Sequence, residues 1–134
     1  MRAVRSPYTV AFVRVPAALL VVLTLAVTAA DSWAHAVLVR SAPTARATLS
    51  RPPERVHLWF NERLEPAYSR ASVWDTRGQQ VDAADAGVDA SEPVRLSVGV
   101  PGLKPGTYTV KFRVLSVDGH LVESQFPFTV REPR

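Results

Sequence analysis

The stretch Tyr108-Thr109-Val110-Lys111-Phe112-Arg113-Val114 alternates large apolar and polar residues without a break. Successive side chains of an extended chain point to opposite faces. Tyr108, Val110, Phe112 and Val114 are therefore expected on a buried face, with Thr109, Lys111 and Arg113 turned outward. Val56-His57-Leu58-Trp59-Phe60 has the same period, with Val56, Leu58 and Phe60 inward and His57 and Trp59 on the other side. Phe126-Pro127-Phe128-Thr129-Val130 repeats it, and Pro127, which cannot donate to a ladder, points to an edge or a bulge. Weaker strand signals cover Ala36 to Val39, Ser72 to Trp74 and Val94 to Val100. Turn formers separate them at Arg51-Pro52-Pro53-Glu54, Thr76-Arg77-Gly78-Gln79 and Pro101-Gly102-Leu103-Lys104-Pro105-Gly106. The pattern predicts an all-β domain, an antiparallel sandwich or barrel of about seven strands. The acidic, Ala-rich segment from Val81 to Glu92 lacks large apolar groups and reads as a mobile surface loop.

A chain of 134 residues has room for one small domain. Cysteine is absent and the one methionine is Met1, so disulfides and sulfur-ligated metal sites in the folded part are excluded. Any metal site has to be built from nitrogen and oxygen. The formal charge of +4 needs locating before it is interpreted. Arg2, Arg5 and Arg14 precede the apolar run from Val15 to Ala30, which holds 16 residues including two threonines. A spanning helix needs ~20 predominantly apolar residues. A positive start, a short apolar run and small residues after it describe a secretory signal peptide. A cleaved signal is thus expected at the start of the chain, with residues 1-34 as the signal and 35-134 as a mature domain, soluble and not membrane-spanning, if the cut follows Ala34. Cleavage there removes three arginines and Asp31 and leaves a net charge of +2. The remaining arginines are scattered among carboxylates, unlike the clustered cations of a nucleic-acid surface.

Two small-x-small sites overlap, at Ser32-Trp33-Ala34 and at Ala34-His35-Ala36. The first leaves His35 as the amino-terminal residue and the second discards it. Asp118 and His120 in Ser116-Val117-Asp118-Gly119-His120 are two apart on an extended chain and can converge on one object, with Gly119 allowing the backbone to bend. If His35 is the terminus, its α-amine and imidazole Nδ1 can chelate one ion. His120 then adds a third nitrogen and Asp118 an oxygen. A tetragonal set of nitrogen and oxygen donors suits Cu(II). His57 alternates with core residues and reads as solvent-facing or packed beside Trp59. Ser116, near Asp118 and His120, has no oxyanion-hole motif or nucleophile elbow around it that would make it a hydrolytic nucleophile.

Three segments, His35-Ala36-Val37-Leu38-Val39-Arg40-Ser41-Ala42-Pro43, Val56-His57-Leu58-Trp59-Phe60-Asn61-Glu62, and Leu103-Lys104-Pro105-Gly106-Thr107-Tyr108-Thr109-Val110 to Asp118-Gly119-His120, resemble CopC-type copper-resistance proteins over essentially the whole mature chain. The resemblance implies an immunoglobulin-like Greek-key β-barrel or sandwich that binds Cu(II) in the periplasm or another extracytoplasmic space. It also implies copper homeostasis as the role, by buffering or by delivery to a CopD-type membrane importer. It favours cleavage after Ala34 and carries the ligand role onto His35, Asp118 and His120. Glu62 matches an acidic position near that site in some members, where it would sit behind the ligands or bind weakly along the axis. Some members have a Met-rich Cu(I) site, which a mature chain without methionine cannot form. The family also tends to have proline and glycine where this chain has Leu121 and Ser124. Two alternatives are a copper-dependent oxidase or monooxygenase with a histidine-brace site, and a metal-free immunoglobulin-like interaction module. Mass spectrometry of the exported protein should give a chain beginning at His35. A mass beginning at Val37 would remove the chelating amine and with it the copper reading.

Overall fold

A computed structural model describes residues 36–134, so the expected signal peptide and His35 lie outside the described residues. Eight strands form two four-stranded sheets. They are β1 (Leu38–Ala42), β2 (Thr48–Leu49), β3 (Arg55–Phe60), β4 (Arg70–Trp74), β5 (Gly87–Val88), β6 (Arg95–Gly99), β7 (Gly106–Leu115) and β8 (Leu121–Val130). The first sheet runs β1-β3-β6-β5 and the second β2-β8-β7-β4, so the chain crosses repeatedly from one sheet to the other. One 3-10 turn, Pro66–Tyr68, lies between β3 and β4. Each strong strand signal forms a strand. β2 and β5 are two-residue stubs too short to carry a visible alternation, which is why eight strands stand where about seven are expected.

The alternation of β7 is realised in full, with Tyr108, Val110, Phe112 and Val114 all buried. They face Val56, Leu58 and Phe60 of β3 and Leu96 and Val98 of β6 in one contiguous core. Phe60 and Phe112 meet edge to face with ring centroids 5.5 Å apart, joining the two sheets. The Tyr108 hydroxyl donates to the Lys104 carbonyl at 2.7 Å, so the ring is buried without stranding its polar tip.

Two features depart from the sequence reading. The pairing is not antiparallel throughout, because β2 lies parallel to β8. The segment from Val81 to Glu92 is pinned rather than loose. The Asp82 carboxylate accepts from Val73 N at 2.8 Å and the Asp85 carboxylate from Gly99 N at 2.7 Å. Val81, Ala86 and Val88 pack against the core. The acidic side chains that made the stretch look solvated are acceptors for backbone donors at the sheet edge. Pro127 sits opposite Thr109 of β7, while its carbonyl accepts from Arg46 N on the far side at 2.6 Å. A residue's N and O point the same way along a strand, so the missing N–H faces the edge and costs the β7–β8 ladder nothing.

Leu58 is fully buried in the centre of β3. Leu58→Ala should lower the unfolding free energy by about 2–5 kcal/mol, read from urea denaturation. A loss below about 1 kcal/mol would contradict this account of the core.

Candidate metal centre

β7 and β8 form a ten-pair ladder from Gly106↔Val130 to Leu115↔Leu121. The turn joining them contains Asp118 and His120. It closes by Ser116 N donating to His120 O at 3.0 Å and Gly119 N to Ser116 O at 2.9 Å. Gly119 has φ +93°, a conformation that side-chain-bearing residues rarely adopt, so the glycine is required by the turn itself. The bend brings the two predicted ligands together, with His120 Nδ1 3.1 Å from Asp118 Oδ1. Leu121 and Ser124, the two departures from the family pattern, fall inside the regular ladder opposite Leu115 and Phe112, outside this turn.

Ser116 is fully buried, the next inward position after Tyr108, Val110, Phe112 and Val114. A hydroxyl there must find partners. It donates to Asp118 Oδ1 and accepts from His120 N at 3.3 Å, and His120 N also reaches Asp118 Oδ1 at 3.2 Å. These bonds favour the ionised carboxyl. Chiefly through the Ser116 hydroxyl, and against partial desolvation, the Asp118 pKa is held down to about 2. The sequence gives Ser116 no catalytic role, and its contacts make it the residue that orients both candidate donors. The signal that finds it is parity, since a polar residue in phase with four buried ones has to be satisfied locally.

Two further segments converge on this end of the sandwich. Val117 N donates to Arg63 O at 3.0 Å and Glu65 N to Leu115 O at 2.8 Å, with Leu64 bridged to Ser116. Asn61 N donates to Val37 O at 3.1 Å, and Val37 N to Asn61 Oδ1 at 2.6 Å. The start of the described chain, the link after β3 and the β7–β8 turn are thus stitched side by side. Ala36 is 1% exposed, tucked into the core at the same end.

Glu62, half-buried, belongs to the middle segment. Among the described residues no three His, Asp or Glu side chains converge to hold a metal, so Glu62 does not complete a set with Asp118 and His120 there. His57 is elsewhere, in mid-strand on the outer face of the first sheet, its ring 5.6 Å from that of Trp59. Burial first, then Arg95 and Arg55, lower its pKa. A groove of about 580 Å³ lies against β4, β7 and β8 and includes neither Asp118 nor His120. A bare metal ion needs donors rather than a cavity, so groove size does not locate this site.

The geometry defines a small β-sandwich with an oxygen donor and an imidazole held together in a hairpin turn beside the chain's entry point. Residues 38–131 match the CopC domain family, and the chain belongs to that family. It is similar to CopC from Methylosinus trichosporium OB3b, at 42% identity and a TM-score of 0.68 over 72% of this chain and 94% of that one. PcoC, a methionine-rich copper resistance protein from Escherichia coli, superposes with a TM-score of 0.64 at 30% identity, covering 73% of this chain and all of that one. Copper resistance protein C of Xanthomonas campestris pv. juglandis is 32% identical over 83% of this chain and 91% of its own. The chain is thus a member of a copper resistance and transport family.

In metal-free protein, a carboxyl NMR titration should give Asp118 a midpoint near 2, moving toward the ordinary 3.8 in Ser116→Ala. An unmoved midpoint in the variant would show that Ser116 does not hold the carboxyl ionised.

Proposed function

We propose that the processed chain is an extracytoplasmic Cu(II)-binding protein that holds one copper ion between its amino terminus and the β7–β8 turn, as a buffer or for delivery to a CopD-type importer. The observation that supports this most is that Val37 is hydrogen-bonded to Asn61 and Val117 to Arg63, two residues further along the same segment, so the start of the described chain is held beside a residue adjacent to Asp118. His35 lies two residues before Val37, at most ~7 Å of chain. After cleavage at Ala34, the His35 amine and Nδ1 supply two nitrogens, His120 a third and Asp118 a carboxylate oxygen. Ser116 keeps that carboxylate ionised and oriented. Glu62 contributes at most a weak axial or outlying contact.

The donor chemistry favours the cupric ion. Soft thioether ligands are excluded by a composition whose one methionine is Met1, and nitrogen with carboxylate oxygen suits Cu(II). Amine and imidazole bind as neutral bases, so affinity falls as pH drops through their protonation range, ~8 down to ~6.5. A carrier is preferred to a histidine-brace oxidase because Asp118 fills a coordination position that oxygen chemistry needs open. The metal-free adhesion module explains neither the paired Asp118 and His120 nor the buried serine behind them. Among the described residues no helix is long and apolar enough to cross a membrane.

Titration of processed protein against a competing chelator should give one Cu(II) per chain. His35→Ala, Asp118→Ala and His120→Ala should each weaken binding by at least ~10–100-fold, with His57→Ala unchanged. Paramagnetic resonance should count three nitrogen donors. Unchanged affinity in any of the first three variants would contradict the ligand set, and ascorbate-driven oxygen turnover by the copper-loaded protein would overturn the carrier reading.

A further inference from the structure

We propose that Asn61 is a positioning residue that makes the amino terminus a preformed ligand, an inference that rests on His35 being the terminal copper ligand. A hydrogen-bonded pair in an antiparallel ladder exchanges two backbone bonds. The β1–β3 register runs from Ala42↔His57 to Arg40↔Trp59, slips by one residue at Val39 and resumes at Leu38↔Phe60, and the hydrogen-bonded pair of Val37 and Asn61 extends it. Its first bond is the ordinary one, Asn61 N to Val37 O at 3.1 Å. Its second, from Val37 N at 2.6 Å, ends on the Asn61 side-chain oxygen. The amide side chain stands in for a backbone acceptor at the point where the chain leaves β3 for Arg63 and the Val117 contact. The ladder thereby gains one more pair at its end, and that pair, with the buried Ala36, anchors the chain just before His35.

The consequence concerns freedom rather than contacts. A chain end not tied down is poorly ordered, and Val37 is 47% exposed, so besides the packing of Ala36 it is these bonds that hold the segment. With Val37 gripped at both N–H and C=O and Ala36 buried, His35 is tethered directly to a fixed point. A short tether to a fixed point raises the effective concentration of the terminal donors at the Asp118–His120 turn. Asn61 needs no contact with copper to act in this way. Alanine there removes the acceptor and lengthens the loose end, whereas aspartate keeps an acceptor oxygen in the same place.

The test uses processed, full mature protein and Cu(II) alone, with chelator competition as the readout. Asn61→Ala should weaken binding about tenfold, and Asn61→Asp should retain wild-type or tighter affinity. In metal-free Asn61→Ala the Val37 amide should exchange with solvent faster while amides in mid-β7 do not. In a His35→Ala background whose terminal amine is also acetylated, adding Asn61→Ala should cause no further loss, since both donors it positions are gone. If His35→Ala leaves affinity unchanged, the copper reading itself fails. If His35→Ala weakens binding while Asn61→Ala does not, or the two losses simply multiply in the acetylated background, the copper reading stands and the positioning role of Asn61 is overturned. Unchanged Val37 exchange in Asn61→Ala overturns it as well, even where the variant binds copper poorly.

Discussion

Backbone groups that leave a sheet must find partners, and at one end of this sandwich three departing segments find one another. Hydrogen bonds at 2.6 to 3.1 Å join Val37 to Asn61 and Val117 to Arg63, and the chain itself links the two pairs through Glu62. None of the bonded residues is a metal ligand in the proposed site. They nevertheless decide that the chain's entry point and the Asp118–His120 turn share a location, though more than 80 residues of sequence separate them. Without that stitching, the donors would be two unrelated features of a β-protein surface.

Period-2 alternation made the sheet interiors legible from sequence. Val56, Leu58 and Phe60, and Tyr108 through Val114, are inward as the pattern requires. It also made Asp118 and His120 legible as a pair. Less visible was whatever depended on a hydrogen bond rather than on burial. Asp82 and Asp85 read as solvated charges because composition cannot distinguish a carboxylate facing water from one accepting a sheet-edge N–H. β2 and β5 are two residues each and carry no period at all. Ser116 was legible in principle, since it continues the inward phase of β7, and a buried hydroxyl implies nearby acceptors.

The ligand turn is built around few atoms. One buried oxygen, Ser116 Oγ, contacts Asp118 Oδ1 and the backbone of His120. The bonds that Asp118 accepts all end on one carboxylate oxygen, and among the described residues none is made to Oδ2. An acid held ionised with one oxygen committed and the other uncommitted is suited to binding a cation without having to reorganise. The rigid β7–β8 ladder behind it, closed by the Phe60–Phe112 contact to the opposite sheet, supplies the fixed frame.

The far edge of β8 has a bearing on how copies of the protein stay apart. Arg46, Ala47 and Leu49 take up the outward backbone groups of Pro127, Thr129 and Arg131, and Pro127 itself has nothing to donate there. Glu123 and Gln125 stand along the uncovered part of the same strand. An unprotected strand margin recruits neighbouring molecules into fibrils. One of the two longest strands is thus blunted against self-association by a proline, a short parallel stub and a charge.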